Sequence, residues 1–210
     1  MFINVPTSLR GVFAGVLAIL GVAALAIVAD PATASQSAGF YKKWAWFENT
    51  YWIVPPEGIY SVFHVQSDNK FIVDRGQTVF HITDYFNGYF TGAVVVKLTE
   101  RQIINCQFVL GQVTPEGRVF MTMYDSAPGS ATLGQVVNDP LGQMVKRGKN
   151  WTMVNTMTSP GQGGTLSHWA YMVQAKPGSL SFNDLPFAHV SIPEFMSSCP
   201  AGPQIENAFN

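Results

Sequence analysis

The sequence predicts an all-β protein: a single antiparallel up-and-down β-barrel of about 8–9 strands with a non-regular C-terminal tail. Three observations carry this. Only 12% of residues are charged, against 47% hydrophobic and 13% aromatic, with 19 Gly and 13 Pro among 210 residues. That is the texture of a turn-rich β protein rather than a helical one. The stretch Thr78–Tyr124 then reads as strands in a row, TVFHITDYF, GYFTGAVVVKLT, RQIINCQFVLGQV and GRVFMTMY, joined by hairpin signals. Asn87-Gly88 suits a type I′ turn, whose two central residues need positive φ. Thr114-Pro115-Glu116-Gly117 places Pro where φ near −65° is wanted and Gly where φ is positive. Finally, no βαβ alternation is present, and sequential hairpins favour an up-and-down barrel over a Greek-key sandwich.

Residues 1–34 read as a signal peptide. Arg10 precedes a 17-residue stretch, Val12–Val28, made only of Ala, Val, Ile, Leu, Phe and Gly, and Pro31-Ala32-Thr33-Ala34 supplies an A-x-A cleavage pattern. The run is slightly short for a full membrane span, so export with cleavage is expected, to the periplasm or outside the cell. The alternative is an uncleaved N-terminal membrane anchor. Residues 35–49 form a lead-in ending in Trp44-Ala45-Trp46-Phe47.

The barrel domain is expected over residues 50–176. Thr50–Val54 is its first strand, ended by Pro55-Pro56-Glu57-Gly58. Ile59–Val65 alternates as a strand, Ser67–Lys70 turns, and Phe71–Val73 is a short strand before a turn at Asp74-Arg75-Gly76. After the central meander, Ser126–Gly142 reads as a long small-residue loop. Trp151–Met157 and Ser167–Gln174 are strands around the Gly-rich loop Ser159–Gly164. Lys176-Pro177-Gly178 stops the last strand. The tail, 177–210, carries four prolines and one short helical turn near Ile192–Ser197, and is expected to wrap the barrel.

Period two divides the later strands into two faces. One set holds Asn105, Gln107, Val109, Met121, Met123, Asp125, Trp151, Met153, Asn155, Met157, His168, Ala170, Met172 and Gln174. The other holds Cys106, Phe108, Leu110, Phe120, Thr122, Tyr124, Thr152, Val154, Thr156, Trp169, Tyr171 and Val173. Met is adaptable and polarisable, and amides orient a ligand without charge. A lumen lined by Asn105, Gln107, Met121, Met123, Met153, Asn155, Met172 and Gln174 would hold a small, partly apolar organic molecule. Either set could face inward. Cys106 and Cys199, with no CxxC pattern, are expected to form one disulfide in an oxidising compartment.

Other chemistries have little support. Net charge is −1, which gives no electrostatic footprint for nucleic acid or anionic membrane, and membrane contact is expected only through the N-terminal segment if it is not cleaved. The four histidines, His64, His81, His168 and His189, lack metal-ligand spacing, and no cofactor or metal is expected. No GxSxG occurs, and Ser159–Gly164 lacks the helix a phosphate loop needs. His81 and Asp84 are three apart on a strand and should face opposite ways. His168 and Asp125 share the Met-rich set and make the best catalytic pair, for a barrel-type isomerase or cyclase-like enzyme. A cell-envelope interaction protein without a ligand is a further alternative. The aromatics Trp44, Trp46, Tyr51 and Trp52 are expected to plug one barrel end.

A leader, a tryptophan by the first strand (Thr50-Tyr51-Trp52), a hairpin-linked meander and a C-terminal tail together resemble the calycin-type barrels, lipocalins and avidins. The lipocalin Gly-x-Trp lacks its Gly here, and no avidin-like biotin motif is matched. The resemblance covers Tyr51 to Gln174, implies a ligand-binding barrel, and assigns no binding residue.

Overall fold

A computed structural model describes residues 39–161 and 163–206. Residues 1–34, expected from the sequence to be a signal peptide, lie outside the described residues. Ten strands follow one another: β1 (Thr50–Ile53), β2 (Tyr60–Val65), β3 (Lys70–Phe86), β4 (Tyr89–Leu98), β5 (Ile103–Val113), β6 (Arg118–Asp125), β7 (Val136–Asn138), β8 (Leu141–Arg147), β9 (Asn150–Gly161) and β10 (Gly164–Ala175). All pairings are antiparallel, and the order β10-β2-β3-β4-β5-β6-β8-β9 returns to β10. The sheet therefore closes into a barrel-like ring of consecutive strands, which removes its free edges.

β1 and β2 share one ring position in tandem. β1 pairs Tyr51 with both His81 and Ala175, while β2 pairs Ser61 with both Asp74 and His168. Pro55-Pro56 breaks the ladder between them, because proline has no N–H to donate. Gln77 repairs the gap. Its buried side chain accepts from the Val54 N–H at 3.1 Å and donates to the carbonyls of Val54 and Pro186, both at 2.9 Å.

The Met-rich face points inward. Met121, Met123, Met153 and Met172 are 0–4% exposed and pack with Phe80, Phe90, Val94 and Val109 in the main core. One end of the ring is plugged. A 3-10 turn, Ala45–Phe47, follows Trp44, whose ring lies 5.0 Å from that of Trp151 and whose Nε1 donates to Thr114 O at 2.8 Å. Trp44, Phe47 and Trp52 are fully buried there, while Trp46 is partly exposed. Tyr51 departs from the expected cluster: period two turns it to the outer wall, where it stacks on His81 at 4.1 Å.

A second core lies outside the barrel. Leu185, Ile192 and Phe195 of the tail cover Ile53, Val79, Val95 and Ala175 on the outer wall. Two short helices, Leu180–Asn183 and Ile192–Met196, shape this cover, the second capped by the Ser191 hydroxyl accepting from Glu194 N–H. The Cys106–Cys199 disulfide ties the tail to β5. Beyond it, Pro203 O accepts from the hydroxyls of Thr83 and Thr91, and Ile205 N–H donates to Asp84.

Four local expectations are corrected. β3 runs unbroken through Asp74-Arg75-Gly76, because Asp74 is a buried inward partner rather than a turn residue, and a Cβ at Gly76 would lie 2.5 Å from Lys97 O. The loop expected at Ser126–Gly142 contains β7 and the start of β8. The Ser159–Gly164 loop shrinks to a hairpin, with Gly161 paired to Gly164. A bulge between Ile82 and Asp84 shifts the register, so His81 and Asp84 both reach the outer wall, one on Tyr51 and the other on the tail. The Asn87-Gly88 turn forms as expected, with φ of 48° and 93°.

Candidate functional site: the open end of the barrel

The end opposite the tryptophan plug is open, and its interior is layered by period two. The floor is filled by Met121, Met144 and Met153, all buried. Above it lies a small cavity of about 30 Å³, whose lining includes Gln107, Met123, Asn155, His168, Ala170 and Met172. Beside the start of β5, along Ile104–Gln107, lies a groove of about 650 Å³. Asn105, Gln107, Asp125 and Ser159 line the groove together with the Ala127–Thr132 loop. Gln107 borders both spaces. A further recess of about 320 Å³ adjoins at Asn105 and Ser159, and is walled by Phe63, Leu98, Arg101 and Leu166.

The cavity wall is almost entirely apolar, and the polar atoms beside it are buried. Asn155 is 7% exposed, and neither its Oδ1 nor its Nδ2 has a hydrogen-bond partner. Its carboxamide sits over Gly142, its cross-strand neighbour, where a Cβ would lie 2.3 Å from Oδ1. The Ser61 hydroxyl, opposite His168 in the ladder, is also buried and unpartnered. Unpaired buried amides and hydroxyls cost about 1–3 kcal/mol each, so such groups call for a partner. A space of this size admits a water or the tip of a small molecule, but not a whole organic ligand.

The charged groups around the mouth are compensated. Asp74, fully buried, accepts from Arg101 Nε at 2.7 Å, and its other oxygen accepts from the backbone N–H of Arg75 and Glu100. The Arg101 guanidinium also lies 4.1 Å from the Phe63 ring centre. Burial works against the Asp125 charge, but donation by Ser130, Thr132 and the Ala127 N–H outweighs it and holds the carboxyl below its usual range. His168 bonds Tyr60 O through Nδ1 at 3.1 Å, and burial pulls its pKa down against that bond, leaving a neutral imidazole at neutral pH.

The residues expected to bind ligand separate by height. Gln107, Met123, Asn155 and Met172 line the cavity, and Asn105 and Gln107 line the groove. Met121 and Met153 lie packed in the floor. Gln174 stands at the plugged end, in a surface groove with Trp151 and Tyr171. His168 and Asp125 occupy different spaces and different bonding arrangements, His168 on the cavity and Asp125 clamping the loop beyond the groove. Among the described residues neither bonds the other.

Arg101, Asp74, Ser61 and Ser159 were not singled out by the sequence. An acid inside an alternating strand, as in Val73-Asp74-Arg75, was the available signal for the buried ion pair. Among the described residues no group of three His, Cys, Asp or Glu is placed to hold a metal. No protein-family model matches the chain, and no characterised protein or solved structure matches it significantly.

Proposed function

We propose that this is an exported barrel protein that binds a small, uncharged, partly apolar organic molecule at its open end. The carrying observation is Asn155: a buried carboxamide with both polar atoms unpartnered, in a cavity that shares Gln107 with a groove of ligand-sized volume. The molecule lies in the groove, against Asn105 and Ser159, and its polar tip reaches Asn155 past Gln107. Charge compensation argues for a neutral ligand, because Arg101 is matched by Asp74 and Asp125 already accepts from three donors. The likeness to lipocalins and avidins supports the same reading by architecture, since small antiparallel barrels hold single ligands at their mouths. The leader pattern and the disulfide support export.

Native mass spectrometry of the protein purified from its own host is the test, paired with nitrogen-15 NMR titration of a panel of uncharged aromatic alcohols and amides. A co-purifying mass, or shifts centred on Asn105, Gln107 and Asn155, is expected. An empty protein with no shift at those three residues across the panel overturns the reading.

A further inference from the structure

The plugged end of the barrel carries an electrostatic feature that the net charge of −1 conceals. Register places four groups of basic residues at this one end. Lys42 and Lys43 lie in the lead-in. Arg118 follows the β5–β6 turn, Lys146, Arg147 and Lys149 surround the β8–β9 turn, and Lys176 follows β10. These are seven of the chain's 12 Lys and Arg, and all seven are exposed. Glu48 and Glu116 stand near them in the chain, and Glu57 accepts from the Tyr171 hydroxyl, whose ring lies 4.7 Å from the Arg147 guanidinium.

Their pairing contrasts with the rest of the molecule. Of the four other described basic residues, Lys70, Arg75 and Arg101 form ion pairs with Asp68, Glu100 and Asp74, while Lys97 lies 4.4 Å from the Phe195 ring centre. Among the described residues none of the seven at the plugged end has an acidic partner within ion-pair distance.

Exposed aromatics share this end. Phe40, Tyr41, Phe86 and Tyr89 are 48–54% exposed and border a groove of about 390 Å³ beside the Asn87-Gly88 turn. They are held in place: the Tyr85 hydroxyl donates to Tyr41 O at 2.6 Å, and Lys43 Nζ donates to Pro115 O. Solvent-facing aromatics among unpaired lysines and arginines form the composition that favours the headgroup region of a bilayer.

We infer that the plugged end seats on an anionic lipid surface. The basic groups meet lipid phosphates while the aromatic rings enter the interfacial layer. The chain's own course agrees. The apolar stretch Val12–Val28 joins the domain at this end, and the ten residues Ala29–Ala38 extend at most about 35 Å. A retained stretch would keep this end near the bilayer. The seat does not depend on ligand binding, and it turns the open mouth away from the membrane.

The test uses the full chain with a spin label at Asn87→Cys or, at the far end, at Asp68→Cys. Quenching by a nickel chelate carried on lipid headgroups is measured on phosphatidylcholine vesicles with and without phosphatidylglycerol. The label at 87 should be quenched more than that at 68, several-fold more on the anionic vesicles than on phosphatidylcholine alone, and less at high salt. Combining K146E, R147E and K149E should lower the ratio of seated to free barrel about a hundredfold, at about fivefold per basic residue near the surface. Near-UV circular dichroism checks that this variant is folded, since all three side chains are exposed. Equal quenching at both positions, or contact indifferent to lipid charge and to the triple variant, overturns the proposal. Protection of position 87 by an acidic protein but not by anionic vesicles also overturns it, and assigns the end to a protein partner.

Discussion

Replacing Asn155 with leucine should stabilise the fold while removing the group proposed to hold a ligand. Leucine has the same branching at Cγ and the same number of heavy atoms, and its bulkier methyl groups must be taken up by the adjoining cavity, an overpacking cost set against the gain from removing two unpaired polar atoms. The carboxamide is 7% exposed, with both polar atoms unpartnered, and the adjoining cavity of about 30 Å³ limits any relief from solvent. Two unmade hydrogen-bonding groups cost about 1–3 kcal/mol each, and a single water returns part of that. The net gain expected is about 2 kcal/mol. At a slope of about 2 kcal/mol per molar urea, the midpoint should rise by about 1 M. The melting temperature should rise by about 4–8 °C for a chain of this size. Urea unfolding followed by far-UV circular dichroism and tryptophan fluorescence reads both midpoint and slope. An unchanged slope with a midpoint lowered by 0.5 M, about 1 kcal/mol, would refute the reasoning. The carboxamide would then be satisfied within the fold, and no unused bonding capacity would remain for a ligand.

Other perturbations test other parts of the molecule. The Cys106–Cys199 bridge spans 93 residues, and loop-closure entropy assigns it about 4.5 kcal/mol; a double Cys→Ala variant should lose about that much in denaturant titration, with the tail more open to protease. Gln77→Leu should cost about 2–4 kcal/mol, because the N–H and C=O of Val54 lose their partner at the proline break, and hydrogen exchange should rise locally at Val54. Burial lowers the pKa of His168 and of His81 below 6.5, the value the unfolded chain keeps. A base depressed by folding takes up more protons when unfolded, so stability should be full above that pH and decline as pH falls below it. Unfolding at pH 7.5 and 5.0 should reveal this decline, and combining His81→Gln with His168→Gln should flatten it.

Much of the barrel was legible because its signals are local. Asn87-Gly88 and Thr114–Gly117 fix their hairpins through backbone preferences that no distant contact needs to rescue. The composition of the inner face was also legible, since Asn105, Gln107, Met123, Asn155 and Met172 follow strict alternation. Its direction was not, because the outer wall is apolar too. Ala93–Val96 is buried throughout: Val94 and Val96 face the lumen, while Val95 lies under the tail. No periodicity appears in a strand covered on both sides. The bulge after Ile82 defeated the period-two argument for His81 and Asp84, since one extra residue inverts everything beyond it. β8 escaped because Leu-Gly-Gln-Met-Val-Lys-Arg carries one buried side chain of consequence, Met144, beside a long stretch of small residues. The depth of the site depends on how methionines fill a floor, and packing of that kind is decided by partners far apart in sequence.

The two ends of the barrel differ in kind, and the difference constrains function. Polar groups at the plugged end are spent on closure: Trp44 Nε1 on Thr114 O, Lys43 on Pro115 O, Tyr85 on Tyr41 O. Its unpaired charges face outward, where water or a charged surface solvates them at little cost. At the open end the arrangement differs: Asp74 pairs with Arg101, Asp125 accepts from Ser130, Thr132 and the Ala127 N–H, and neutral groups are buried without partners at Asn155 and Ser61. Unpaired surface cations select by long-range attraction, whereas buried neutral groups select by contact at short range. A protein that merely needed a stable barrel gains nothing from either. Their segregation to opposite ends, with the disulfide-bound tail stiffening the wall between, argues for one molecule that holds a surface at its base and samples small neutral molecules at its mouth.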